Sequence, residues 1–169
     1  MLGITGMAGF GGHYKTAGGA DADAMDTHTG YTETSGTCDA STEFSGTYVA
    51  WKGCNDNNAA ANDWISQSGG IPAWWRYNFT TAQKSGGYTL EMSNVTYFPY
   101  MPKDWTFEGS HDGTDWDVLD TQSGITTWSA QVKRTFLITN YIEYEWYRFN
   151  ITAVQSGAYA EVTEFEILI

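Results

Sequence analysis

The chain of 169 residues carries a formal net charge of −12, with 16% aromatic and only 17% charged residues. That acidic balance repels phosphate backbones and anionic lipid, which argues against nucleic acid and against membrane insertion as partners. No apolar run approaches the roughly 20 residues that span a bilayer, and plentiful Thr, Tyr, Trp, Gly and Asn favour strands and turns over long helices or disorder.

Residues 1–36 hold nine of the nineteen glycines and none of the eight tryptophans. Their apolar residues are sparse and follow neither a period of 2 nor one of 3.6. This stretch reads as an extended, Gly-rich N-terminal arm. A tail without contacts is one reading of it. An arm that docks on a neighbouring subunit is the other, and the apolar start (Met1, Leu2, Ile4, Met7, Phe10) suits it. The opening MLGITGMAGFGGHYK is broken by glycines and has no preceding Lys or Arg, so it lacks the features of a secretory signal. Cys38 and Cys54 show no metal-type spacing, and a disulfide and two free thiols are both open to them.

Residues 37–169 read as short strands between turn signals. Trp75, Tyr77 and Phe79 alternate with Trp74, Arg76 and Asn78, the period of a half-buried strand. Tyr88 to Tyr97 forms a second β-rich run. Trp105–Glu108 and Trp116–Leu119 flank the turn pair Asp112-Gly113. Val132–Thr139 is a further strand. Tyr147, Phe149 and Ile151 alternate with Trp146, Arg148 and Asn150, and Thr163, Phe165, Ile167 and Ile169 alternate through the last strand. Roughly eight antiparallel strands at this spacing predict an all-β jelly-roll sandwich over 37–169.

Four segments in order carry a family resemblance: ASTEFSGTYVAWKGCNDNNAAANDWIS, IPAWWRYNF, PKDWTFEGSHDGTDWDVLDTQ and YRFNITAVQSGAYAEVTEFEIL. Together they resemble the discoidin, or coagulation-factor type C, domain, and the versions in family 32 carbohydrate-binding modules and phage tail proteins. The resemblance covers about residues 38–169 and implies a galactose-binding-like β-sandwich. It also implies a structural calcium ion, wrapped by the first loop and a glutamate of the last strand. Carried over by position, the implied ligands are Lys52 and Thr163 through their carbonyls, with Asn55, Asn57, Asn62 and Glu164. Such a set suits an ion that takes about six to eight oxygens. The match is incomplete. Asn55 stands where the family has Asp, Cys54 where it has Phe, and the loop is slightly longer. Asp56 and Asp63 sit beside the matched positions and restore the charge.

A sugar site needs an aromatic platform among a few polar groups. The galactose-binding relatives place a His after the loop Trp, where this chain has Ile65, so that contact set does not transfer. The candidates are Tyr97 and Tyr100 in a Pro-broken loop, Trp74 and Arg76 on the outer side of their strand by parity, and Trp51 and His111 in or beside loops. No G-x-S-x-G elbow, H-E-x-x-H helix or Gly-rich phosphate loop is present, and the carboxylates scatter over turns. Three Asn-x-Thr sequons, at Asn78, Asn94 and Asn150, fall in strand-like stretches and read as incidental. The expectation is a non-catalytic module that binds a glycan or cell-surface polysaccharide, on a virion or other extracellular assembly, with residues 1–36 contacting other subunits. The alternative is a structural decoration or assembly protein of a virion, oligomeric or part of a larger particle, whose partner is protein.

Overall fold

The computed structural model describes residues 22–59 and 61–169. The chain is an all-β sandwich. Strands β1 (Gly36–Ala40), β3 (Ala73–Gln83), β5 (Pro102–Ser110), β6 (Asp117–Gln122) and β8 (Tyr144–Val154) form a five-stranded sheet in the order β1-β3-β8-β5-β6. Strands β4 (Gly87–Glu91), β7 (Arg134–Leu137) and β10 (Glu164–Leu168) form a second sheet in the order β10-β4-β7. The short pair β2 (Trp64–Ile65) and β9 (Glu161–Val162) closes one end. The pairings between these strands are antiparallel.

The period of 2 decides which side chains build the core. Along β3, Trp75, Tyr77 and Phe79 are buried and Trp74, Arg76 and Asn78 are half-exposed. Phe149 on β8 and Phe165 on β10 meet them from two directions. Trp75 stacks on Phe165 at 4.6 Å and 10°, which locks the two sheets face to face. Buried indoles keep their N–H groups satisfied: Trp75 donates to the Ala50 carbonyl at 2.9 Å and Trp105 to the Tyr88 hydroxyl at 2.9 Å.

The structure refines two expectations. Among the described residues there are ten strands; β1 and the two-residue β2 and β9 lie in stretches without a repeating apolar pattern, so the alternation does not reveal them. The arm expected over 1–36 also divides. Residues 1–21 lie outside the described residues, and residues 22–35 pack on the sandwich, with Gly36 already in β1. Ala24 donates its N–H to the Ile167 carbonyl at 2.8 Å, and Ile169 donates to the Ala22 carbonyl at 3.1 Å. This segment therefore runs beside β10, and Met25 and His28 are buried. The reason is an unpaired strand edge, which residues 22–24 cover. Gly36 allows the close approach: a Cβ there would stand 2.2 Å from the Asn78 carbonyl oxygen.

Candidate functional site

Five aromatic side chains from three loops (Phe44 and Tyr48, Tyr97 and Tyr100, and Tyr159) gather at the end closed by β2 and β9. The turn Val95–Tyr100 is held by Asn94, whose Oδ1 accepts from the Thr96 N–H at 3.0 Å. It presents Tyr97 and Tyr100, both half-exposed. Tyr100 stacks on Tyr159 at 4.2 Å and 23°. Phe44, half of its surface exposed, packs 5.7 Å from Tyr159 and 6.2 Å from Tyr48. Gly157 makes the Tyr100–Tyr159 stack accessible to the chain, since a Cβ there would come within 2.1 Å of the Tyr100 ring.

Glu161 sits beside these rings. It is 2% exposed, its Oε1 has no hydrogen-bond partner, and burial, then the Asp63 charge, pushes its carboxyl up to about 8. Burial and then the Glu161 charge raise the Tyr97 hydroxyl; Tyr100, then burial, pushes Tyr159 to about 12. Ile65, at the family's His position, is buried and pairs with Glu161 across β2 and β9. Rings that can stack on apolar sugar faces are one requirement of carbohydrate recognition, and here they lie beside a buried carboxyl oxygen that has no hydrogen-bond partner.

A second feature lies at the first loop. A cavity of about 240 Å³ is lined by Asp56, Asn57, Asn58, Glu91, Lys133 and Glu164. Glu91 and Glu164 are direct cross-strand partners, an arrangement of like charges that is unfavourable unless a cation lies between or beside them. Glu164 is 2% exposed, its Oε2 lacks a partner, and burial, then Asp56, pushes its carboxyl up to about 9. Lys133 belongs to this cavity and forms an ion pair with Glu166, which answers part of the charge. Carboxylates and amide carbonyls with one buried oxygen unsatisfied fit a hard cation such as calcium.

Of the six implied ligands, Asn57 and Glu164 line this cavity. For the other four, the Lys52, Asn55 and Thr163 side chains and the Asn62 backbone N–H make local contacts, none of which involves the implied Lys52 and Thr163 carbonyls. Lys52 donates to the Ala61 carbonyl at 3.0 Å, Asn55 accepts from the Asn57 N–H at 3.0 Å, and the Asn62 N–H bonds the Ala59 carbonyl at 3.1 Å. Thr163 donates to Asp63 at 2.6 Å and accepts from the Ser93 N–H at 2.7 Å. Glu91 and Lys133 were not signalled by the sequence, because only the β4–β10 register and the connection before β7 bring them there.

The remaining ligand candidates separate. Trp74 and Arg76 stand on the outer face of the five-stranded sheet, as parity requires. The Arg76 guanidinium lies 4.7 Å from the ring centres of both Trp74 and Trp146 and donates to Asp39 at 2.6 and 2.9 Å. Beside it, Arg148 lies 4.0 Å over Trp116 and donates to Glu108 at 2.6 Å. Trp51 is half-buried against the core. His111 is exposed, 3.2 Å from Glu145 and packed on Tyr144. None of these four joins the loop-end cluster, which holds Tyr97 and Tyr100 alone of the six. Phe44, Tyr48 and Tyr159 were not among the candidates, for they share no local motif.

No protein-family model and no curated protein matches the sequence. Solved structures match the fold over most of the chain. Chitosan-binding module 1 of a chitosanase/glucanase from Paenibacillus sp. IK-5 aligns with a TM-score of 0.66 at 18% identity, covering 83% of this chain and 98% of that one. A family 32 module from Clostridium perfringens NanJ, in complex with galactose, aligns with a TM-score of 0.65 at 13% identity, covering 79% and 93%. Another from Clostridium perfringens, in complex with GalNAc-β-1,3-galactose, gives 0.65 at 12% identity, covering 79% and 95%. The chain has the discoidin-type, galactose-binding-like sandwich seen in family 32 carbohydrate-binding modules.

Proposed function

We propose that the protein is a non-catalytic carbohydrate-recognition module whose ligand seats at the loop end, on Tyr100, Tyr159 and Phe44 beside Glu161. The observation that carries this reading is the exposed aromatic cluster joined to a buried carboxyl with an unpartnered oxygen. The glycan-binding neighbours of the same fold support it. A glycan array tests it. Specific retention that Tyr159→Ala abolishes, with the melting temperature held, supports the assignment. Retention untouched by Tyr159→Ala and Tyr100→Ala together refutes it.

Calcium has a structural part in this reading. Asp56, Glu91 and Glu164 would hold the ion, with Asn57 or Asn58, and it would tie the first loop to β10. Millimolar calcium then raises the melting temperature by several degrees, and Glu164→Gln removes the rise. No shift with calcium removes this part and leaves the glycan site standing.

The setting proposed is a virion or other extracellular assembly, with residues 1–21 as the attachment. A second reading, assembly with other protein subunits, is favoured by apolar side chains along the β7 edge and the loop after it: Leu137 is 71% exposed and Tyr141 86%. Silence on the array together with concentration-dependent association that Leu137→Lys prevents would select it.

A further inference from the structure

We propose that His28, Cys38 and Cys54 form a closed binding site for a thiophilic metal ion of the zinc type. The three side chains come from different parts of the chain: the N-terminal segment, β1, and the end of the short helical turn Ala50–Cys54. All three are buried, at 2%, 3% and 2% exposure, and both cysteines are free thiols. Their ligand atoms lie within 4.8 Å of one another, with Cys38 Sγ 3.7 Å from His28 Nδ1. On a tetrahedral zinc with ordinary bond lengths, a sulfur and a nitrogen stand about 3.6 Å apart. Little more than side-chain rotation is needed to admit the ion.

The surroundings prepare the ligands. The His28 N–H donates to the Cys54 carbonyl at 2.9 Å, so the backbone pins the imidazole's residue to a thiol's residue. His28 Nε2 lies 3.0 Å from the Tyr77 hydroxyl, which is 2.6 Å from Ser35 Oγ. That chain orients the ring with Nδ1 toward the sulfurs, as an outer partner does for a metal-bound imidazole. The Gly30 carbonyl, 2.8 Å from Nδ1, accepts that nitrogen's proton in the metal-free protein, and metal binding requires the proton to move to Nε2, where the Tyr77 hydroxyl accepts it. Thiolate ligation requires both cysteines to give up their protons, which pass to solvent as the ion binds. Two thiolates and an imidazole select a soft ion over calcium, so this site and the oxygen-lined cavity take different metals. Bound there, the ion would staple residues 22–36 and the start of the first loop to the sandwich.

The experiment uses the full chain, reduced and chelator-treated, titrated with cobalt(II). The expected result is a thiolate-to-cobalt charge-transfer band that saturates near about one equivalent and is bleached by zinc. Glu164→Gln keeps the band, because its cavity offers no sulfur. Cys38→Ala loses it while the far-ultraviolet circular dichroism stays native. Zinc also slows alkylation of the wild-type thiols by iodoacetamide at least about tenfold. Absence of the band in the reduced wild type overturns the proposal, as does alkylation that zinc leaves unchanged. If Cys38→Ala does not fold, the wild-type band and its displacement by zinc decide alone.

Discussion

Five aromatic rings meet at the loop end, and three tryptophans stand on the outer face of the five-stranded sheet, but the two groups differ in what they leave unsatisfied. On the outer face each guanidinium lies over indole rings and each has its own carboxylate: Arg76 with Asp39, Arg148 with Glu108. The strand register makes this a single row, Asp39–Arg76–Arg148–Glu108, with the charges paired inside it. At the loop end the rings stack on one another, Phe44 is open to solvent, and Glu161 keeps an oxygen without a partner. Aromatic content alone does not mark a binding face. In the proposed reading, open ring faces beside the unpartnered Glu161 oxygen set the loop end apart.

The largest effect that can break this contrast comes from the row. Arg148→Ala leaves Glu108, buried at the sheet surface, without its cation and uncovers Trp116; a loss of about 3 kcal/mol is expected from urea unfolding, with glycan binding unchanged. Next, Tyr159→Ala costs binding at least about tenfold, as one stacked ring does, while stability falls by less than about 1 kcal/mol because the ring is half-exposed. An inverted result, with Arg148→Ala silencing binding and Tyr159→Ala unfolding the chain, would exchange the roles of the two regions.

The pH dependence sharpens the same point. Glu161 titrates near 8 and Glu164 near 9 in the folded chain, against an ordinary 4.5. Between those values the folded state holds more protons than the unfolded one, so stability falls as pH rises from about 5 to 8. The melting temperature in calcium-free buffer is expected to drop across that window. Glu161→Gln reduces the slope by removing one of the buried carboxyls, Asp23 at about 7 being a further one, and calcium bound as proposed would reduce it by favouring ionised Glu164. A flat profile in calcium-free buffer would contradict the burial of both carboxyls. The smallest effect is Trp74→Ala, expected to cost about 0.5–1 kcal/mol, because Arg76 keeps Trp146 and Asp39.

Strand parity was legible where one face is buried: β3 and β8 show their inner and outer residues directly in the alternation of Trp75, Tyr77 and Phe149 with Trp74, Arg76 and Arg148. β1 was not, because GTCDA contains no large apolar side chain and follows a Gly-rich stretch. Asn57 and Glu164 could be carried over by position. Glu91 could not, since its relation to Glu164 exists only as a cross-strand pairing. Phe44, Tyr48 and Tyr159 converge from loops more than 100 residues apart at the extremes, and nothing local announces that meeting. His28 escaped for the opposite reason: it sits in a segment whose composition suggests no fixed place, and its position follows from the backbone bond to Cys54.

Residues 22–24 lie along β10 as a removable cover. A chain cut back to residue 37 would bare the hydrogen-bonding groups of β10 from Ile167 onward and take Met25 from the core. The exposed edge could then recruit the same segment from an intact copy, giving exchanged dimers, or add strand after strand into open-ended aggregates. Protection of the β10 edge is in this sense vested in residues 22–24, which belong to none of the strands described.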